Sequence, residues 1–483
     1  MRAWIAGLCV LPLLWCVPAQ AQAQVSQERA LALEGQLRDW LAAVLGPRVE
    51  LGERPVRLSA EDGRYALELP VMHAGTLALD GPPLTAVLRP LDAGRWALDE
   101  VKLPSPLHIA TELPGGATAD WTVTLTGQQA HAIIDPSLAT TSTWDAETSA
   151  SDLVSHSPAR QRHNSAGPAV SHVVWQPAGE GRVDLTAESS GRDLAGASVL
   201  PDGRAVTFAA ARWHLSSHMD ALKPTSLPPL LRAALALGPL GQALREVAPA
   251  GATPARSAFV AAANNLLDGM RDLMGGFAEV TEIDDARMIA GPMEAVLHRM
   301  LFGARMAAPD GRLALRFDLG LDGIDSPSLP PGPLHTYLPR HIALSPRAGG
   351  VKTADVTDML QAMAAGTDPQ PAVTRMLEDG PLLLGIDNLA ADFGPASLAG
   401  SGELRVAAPD SVSGQARITM TGLDALIRDA RSVPMLKQAL PMLIFLKGIG
   451  EPQGAATVWL ITYGDHHVSI NGTDLSQMLP GMK

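Results

Sequence analysis

Between Arg312 and Asp322 the chain reads RLALRFDLGLD. Leu313, Leu315, Phe317, Leu319 and Leu321 fall on one side of an extended backbone. Arg312, Arg316, Asp318 and Asp322 share the other, which Ala314 and Gly320 interrupt. A helix would scatter this pattern around its circumference, whereas a strand collects it into one oily row and one charged row. At about 3.3 Å per residue the oily row is near 30 Å long. Whatever the fold, it must put a long apolar sheet face against something.

The same grammar recurs along the chain. VRLSAEDGRYALELPV, from Val56, reads as two strands about a Glu-Asp-Gly turn, and LTAVLRPLDAGRWALDEVKL repeats the device at Asp92-Ala93-Gly94. WTVTLTG (121–127), RVDLTAES and RAVTFAAARWHL alternate in the same way. Near the C-terminus, GSGELRVAAPDSVSGQARITMTGLDALI (400–427) reads as two strands around a turn followed by a helix. Leu404, Val406, Ala416, Ile418 and Met420 form its apolar face, opposite Glu403, Arg405, Gln415, Arg417, Thr419 and Thr421. The short GSG at 400–402 reads as no more than a turn. A final hairpin turns at Gly464-Asp465.

Helical spacing interrupts the strands. SQERALALEGQLRDWLAAVLGP places Leu33, Leu37, Trp40, Leu41 and Val44 on one stripe, with Ser26 to cap the start and Gly46-Pro47 to end it. Residues 227–306 read as a helical block: Phe259, Leu266, Met270, Leu273 and Met274 form one stripe, and Met293, Val296, Leu297, Met300 and Leu301 another. Residues 136–172, rich in Ser, Thr, Ala, His and Pro, read as sheet edge continuing into a long mobile loop. The fold expected is therefore α+β: antiparallel twisted sheets, built as meander hairpins, whose oily faces are covered by amphipathic helices. Its organisation is a helix plus β-meander over 24–226, the helical block over 227–306, and a β-rich domain over 307–483 carrying a helix at 423–446.

The first 23 residues stand apart. Arg2 precedes an apolar run from Ala3 to Val17, and small residues follow at Ala19, Ala21 and Ala23. This is the charge, apolar core and A-x-A order of a cleaved secretory signal peptide. A retained N-terminal anchor is the rival reading. A lipid-attachment site at Cys16 is disfavoured by Trp15, where a small residue is needed. The chain's 2 cysteines, Cys9 and Cys16, both lie in this leader, so the remainder forms no disulfide and no thiolate metal site. Export without disulfides points to a bacterial periplasm. No other segment is long and apolar enough to span a membrane.

The chain carries 37 basic and 50 acidic residues, net −13, and removal of Arg2 with the leader makes it −14. That balance argues against nucleic acid and against electrostatic docking on anionic lipid. There is no G-x-S-x-G elbow, H-E-x-x-H, phosphate-binding loop or dinucleotide fingerprint. His156, His163 and His172 with Asp152, and His466 and His467 with Asp465, are the nearest thing to a metal set. They lie on segments read as loop or turn, so solvated histidines are the plainer reading. EVTEIDDARM (279–288) lacks calcium-loop spacing and reads as a solvated turn before a helix. NGT at 471–473 is a formal glycosylation triplet without weight in a bacterium.

The C-terminal third, LGIDNLAADFGPASLAGSGELRV, then GQARITMTGLDALIRD, then HVSINGTDLSQMLP, resembles a bacterial envelope family, domain-of-unknown-function family 2125. Its cadence is also similar to AsmA-like envelope proteins, whose long sheets are thought to shield lipids. The resemblance covers about the last 180 residues and its motifs are structural, so it carries no functional residue across. It implies an exported, sheet-rich envelope protein.

The function expected is non-enzymatic: a periplasmic envelope protein that binds or shields a lipid or acyl chain on an apolar sheet face. The candidate ligand residues are Leu313, Leu315, Phe317, Leu319, Leu404, Val406, Ile418 and Met420, with no catalytic residue, metal or cofactor. Partners are a lipid or other hydrophobic ligand and no nucleic acid, with membrane contact left open. The alternatives are an envelope-assembly scaffold whose oily faces are closed core and, more weakly, a hydrolase with dispersed catalytic residues. An open groove predicts a contiguous exposed apolar surface, and a scaffold predicts none.

Overall fold

The computed structural model describes residues 25–475 except 46–48, 51–53, 72, 75–76, 113–117, 139, 158–159, 200–202, 231, 234–253, 272, 330–331, 409–410, 432–436 and 465–466. The leader, Asp465 and His466 therefore lie outside the described residues. The chain forms two compact units, Met1–Phe277 with Leu360–Thr367, and Ala278–Met359 with Asp368–Lys483. All described strand pairs are antiparallel, and with the helices they make an α+β protein.

In the first unit, helix α1 (Gln27–Leu45) precedes strands β1 (Val49–Glu50), β2 (Arg57–Glu61), β3 (Arg64–Leu69), β4 (His73–Ala74), β5 (Leu77–Asp80), β6 (Leu84–Pro90), β7 (Trp96–Lys102), β8 (Leu107–Glu112), β9 (Thr118–Thr126) and β10 (Gln129–Asp135). They continue as β11 (Thr140–Thr148), β12 (Ala150–Ser157), β13 (Arg160–Ala166), β14 (Ala169–Gly179), β15 (Arg182–Val199) and β16 (Ala205–Leu222), followed by α2 (Pro254–Arg271). The Asp-Gly turns do what their sequence requires: Asp62 and Gly63 both have positive φ, 45° and 75°, the geometry that matches the twist of a two-residue hairpin. The stripe Leu33, Leu37, Trp40 and Leu41 of α1 is buried with Leu58, Leu67, Leu88, Leu98, Ile134 and Trp144 in one apolar cluster. Each such side chain contributes about 1.5–3 kcal/mol on full burial. Glu34 pins the helix in place, accepting from Arg54 Nε at 3.0 Å and Nη2 at 2.8 Å and from the Leu58 amide at 3.3 Å. The hydrogen bonds from Arg54 hold its carboxyl below the ordinary value.

The described residues of 136–172 are a 3-10 turn at Pro136–Leu138 and then mostly strand, not mobile loop. β11 pairs with β10 and β14, and β12 with β9 and β13. Hydrogen bonding between neighbours makes a strand, and Thr and Val suit it whether or not a face is oily. Polar cross-strand pairs then replace packing. His156 contacts Asp120 at 3.2 Å, His163 contacts Asp152 at 2.6 Å, and His172 contacts Asp145 at 2.5 Å.

β17 (Gly276–Ala290) carries the chain into the second unit, which continues β18 (Met293–Ala307), β19 (Arg312–Asp322), α3 (Pro333–Thr336), β20 (His341–Lys352), α4 (Thr353–Ala365), α5 (Gln370–Glu378), β21 (Leu382–Asp392), β22 (Ser397–Ala408) and β23 (Ser411–Thr421). It ends with α6 (Leu423–Ala430), α7 (Leu440–Ile449), β24 (Glu451–Gln453), β25 (Ala456–Gly464), β26 (His467–Ile470) and β27 (Thr473–Asp474). Three expectations are corrected here. Residues 276–307, expected inside the helical block, are two 15-residue strands, so EVTEIDDARM is strand rather than turn and helix. Ion pairs Arg299–Glu282 and Arg287–Glu294, each 2.8 Å, link them, and pairing with β19 overrides the local helical spacing of Met293 to Leu301. GSG at 400–402 lies in mid-strand. The helix expected over 423–446 is two, α6 ending at Ala430 and α7 starting at Leu440, with Pro441 in its first turn where a missing amide costs nothing.

The order β18-β19-β20-β21-β22-β23-β25-β26 follows from the registers. Leu423 and Ile427 of α6 and the stripe Leu440, Leu443, Leu446 and Ile449 of α7 pack with Trp459, Ile418, Met420, Ile461 and Ile470. Asn471 locks this end: its Oδ1 accepts from the Leu460 amide at 2.8 Å, and its Nδ2 donates to the carbonyls of Ile449 at 2.9 Å and Val458 at 3.0 Å.

Candidate functional site

Directly opposed residues of an antiparallel ladder share a face, so the registers assemble the apolar face row by row. One row runs Phe302, Leu319, Leu344, Leu389, Gly400, Ile418, Trp459. The next runs Ala304, Phe317, Pro346, Ile386, Gly402, Ala416, Ile461, Phe317 lying beside Pro346 because its neighbours pair Arg316 with Arg347 and Leu319 with Leu344. A third runs Met306, Leu315, Ala348, Leu384, Leu404, Gly414, Tyr463. With strands about 4.8 Å apart, these rows extend nearly 30 Å across the sheet.

Strict alternation would not keep β21 in this face. Leu384 and Ile386 are followed by Leu389 and Ala391, an odd step, and the register shifts between Ile386 and Leu389. A bulge at Asp387-Asn388 absorbs the extra residue and returns Leu389 to the apolar side. It also delivers Asp387 to the opposite face, where Arg305, Arg316 and Arg347 stand side by side on adjacent strands. Asp387 accepts from Arg316 at 2.9 Å and Arg347 at 2.7 Å, Asp318 accepts from Arg316 Nε at 3.0 Å, and Glu403 accepts from Arg347. The hydrogen bond from Arg316 keeps the Asp318 carboxyl below its ordinary value, and these carboxylates raise both arginines. The sheet thus has a charged back, neutralised pairwise, and an oily front.

The front is open. Phe317 is 45 % exposed and Leu384 and Ile386 are each 38 % exposed, values incompatible with a closed core. Between them lies a groove of about 600 Å³, within the range of ligand sites in proteins. Its floor is Gly400, Gly402 and Gly414, and its walls include Leu389, Leu404, Ile418, Ile461 and Tyr463. Glycine is also sterically required there: a Cβ on Gly402 would lie 2.7 Å from that of Ala416, and one on Gly414 would lie 2.5 Å from the Glu403 carbonyl oxygen. Close strand approach without side chains makes the depression. The hydroxyl of Tyr463 is the one titratable side chain on the apolar side of this lining.

Of the eight residues expected from sequence, Phe317, Leu404 and Ile418 line the groove. Leu315 and Leu319 lie on the same face in the flanking rows, while Val406, paired with Val412, and Met420, paired with Leu398, lie toward opposite ends of β22–β23. Leu313 is half-buried and is not part of the lining. Sequence reading placed Ala416 on the apolar face without naming it a ligand residue, and missed Leu384, Ile386 and Ile461, and above all the glycines. The available signal was that Gly400, Gly402 and Gly414 hold the parity of Leu404 and Ile418.

The histidine sets do not converge. His156, His163 and His172 each meet a different carboxylate, His467 meets Asp474 at 3.2 Å, and no cluster of three metal-ligating side chains occurs among the described residues. A second cavity, about 530 Å³, opens in the first unit beside Arg54, Arg57, Lys102, Glu68 and Glu100. Its charges are largely spent on each other, Arg54 on Glu34 at 2.8 Å and Arg57 on Glu68 at 3.2 Å. Tyr337 donates to Asp429 of α6 at 2.6 Å, and burial together with that carboxylate pushes its hydroxyl up to about 12. No described helix is long and apolar enough to cross a membrane. No protein-family model, curated protein or solved structure matches this chain.

Proposed function

We propose that the second unit holds a hydrophobic ligand, a lipid or single acyl chain, along the groove on its apolar sheet face, and that the protein is a non-enzymatic carrier or shield of the bacterial periplasm. The observation that carries the reading is the exposure of Phe317, Leu384 and Ile386 around a glycine-floored groove of about 600 Å³. A chain of methylenes laid there is removed from water at about 0.8 kcal/mol per CH₂. It also covers the side chains that the fold leaves bare. The lining supplies Tyr463 to hydrogen-bond a headgroup and apolar walls for the tail, and its two charged members, Arg347 and Glu403, are paired with each other. The leader and the cysteine-free remainder support the periplasm. The resemblance to family 2125 fits an envelope role without specifying a ligand.

The test is native mass spectrometry with organic extraction on protein purified from the periplasm. Lipid at stoichiometric amount, lost on Ile386→Asp with the fold retained, is the expected outcome. A clean apo mass with an empty extract would replace the reading with a scaffold whose exposed face meets protein.

A further inference from the structure

Helix α7 has the sequence LPMLIFLKGI, apolar but for Lys447. Its inner stripe, Leu440, Leu443, Leu446 and Ile449, is spent on the cluster around Trp459. Its outer side is bare: Met442 is 61 %, Ile444 50 % and Phe445 39 % exposed. At 100° per residue, Ile444, Gly448, Pro441 and Phe445 form one continuous outward arc, with Met442 just past Ile449 at its edge, while Lys447 falls between Leu443 and Leu440. Ten residues span about 15 Å, half of a bilayer core, so this helix is too short to cross a membrane.

Charge distinguishes a lipid surface from a protein partner. Over residues 423–450 the chain carries Arg428, Arg431, Lys437 and Lys447 against Asp424 and Asp429, a net +2 in a protein of −13. Lys447 is ion-paired with Asp424, and Asp429, which accepts from the neutral Tyr337 hydroxyl and keeps its charge, offsets one of the exposed cations Arg428, Arg431 and Lys437, so the flank stays net basic. Bare aliphatic and aromatic side chains beside Arg and Lys are the composition of a helix that seats in the headgroup layer of an anionic bilayer. The helix is seated beside the groove, since Ile418 and Ile461 line the groove and also pack under the inner stripe of α7.

We propose that α7 is a docking foot that seats the second unit in the surface of an anionic lipid bilayer. This goes beyond ligand retention in the groove and holds whether or not the groove is filled.

The experiment is flotation of the leaderless protein with vesicles of 3:1 phosphatidylethanolamine:phosphatidylglycerol and, separately, of pure phosphatidylcholine. The natural sequence is expected to float with the anionic vesicles and far less with the neutral ones. Ile444→Glu/Phe445→Glu is expected to reduce the bound fraction at least about tenfold. Arg431→Glu/Lys437→Glu is expected to abolish the preference for anionic vesicles. All the exchanged side chains are exposed, and an unchanged melting temperature verifies the fold; should the Glu pair melt early, Ile444→Ser/Phe445→Ser replaces it with the same expectation. Absence of flotation by the natural sequence, or equal flotation by the apolar variant, overturns the proposal. So does a dimer in light scattering that the apolar variant abolishes while nothing floats. Retention of a fluorescent fatty acid, read in the same variants without vesicles, is expected to be unchanged, so failure of the foot and failure of the groove are read separately.

Discussion

Replacing Ile386 by Asp separates an open groove from a closed core. The side chain is 38 % exposed, so about three fifths of its burial is lost. Full burial of an isoleucine contributes about 1.5–3 kcal/mol, which sets the stability loss near 1–2 kcal/mol. The new carboxylate keeps access to water and needs no protonation to fold. For a unit of roughly 200 residues that is a fall in Tm of about 2–8 °C. The ligand fares worse. An acyl chain lying over position 386 would strip water from an unpaired carboxylate, at several kcal/mol. Even 3 kcal/mol is more than a hundredfold in Kd. Ile427→Asp is the comparison: Ile427 is 8 % exposed in the cluster under α6, where an unpaired charge costs more than about 4 kcal/mol and unfolds the unit. The assays are thermal denaturation and titration with a fluorescent fatty acid. Ile386→Asp should keep a cooperative melt and lose the probe. Unfolding as severe as that of Ile427→Asp would refute the open face, and unchanged probe affinity in a folded variant would refute this groove as the site.

Gly402→Val should lower stability by about 1–3 kcal/mol in urea denaturation, because its Cβ meets that of Ala416 at 2.7 Å across the strands. Asn471→Ala removes three hydrogen bonds joining the last hairpin to α7 and β25, and should cost about 2–3 kcal/mol in the same assay. Glu34 has a depressed carboxyl in the folded state, so its stabilisation is complete above the ordinary value of 4.5 and is lost as pH falls through the folded value. Glu34→Gln should therefore lower stability at neutral pH and flatten the acid limb of the stability curve below about pH 4.5, followed by circular dichroism.

What was legible in the sequence was whatever a local rule fixes. The turn at Asp62-Gly63 follows from residues that tolerate positive φ, and the turn at Asp92-Ala93-Gly94 from Gly94, although Ala93 also adopts a positive φ of 60° there. The stripe of α1 and the two faces of β22 and β23 follow from a period. What failed depended on partners. Met293, Val296, Leu297, Met300 and Leu301 satisfy a helical spacing, yet Met300, Phe302 and Met306 are set on the apolar face by their pairing with Leu321, Leu319 and Leu315. The polar run from Thr140 to Gly179 has no oily face to announce a sheet, and its pairing partners are as far away as β9 and β15.

The groove itself arises from two departures from strand grammar. A two-residue period predicts that an oily face stays oily, and it treats glycine and an inserted residue as interruptions. Here the insertion at Asp387-Asn388 preserves the face, by restoring Leu389 to it, while sending a carboxylate to neutralise Arg316 and Arg347 behind. Gly400, Gly402 and Gly414 then subtract side chains from the middle of that face without breaking the ladder, leaving walls of Leu389, Leu404 and Ile418 around a floor of backbone. The strands approach too closely to admit even a Cβ at Gly402 and Gly414, so packing fixes glycine there and the floor between the walls stays bare.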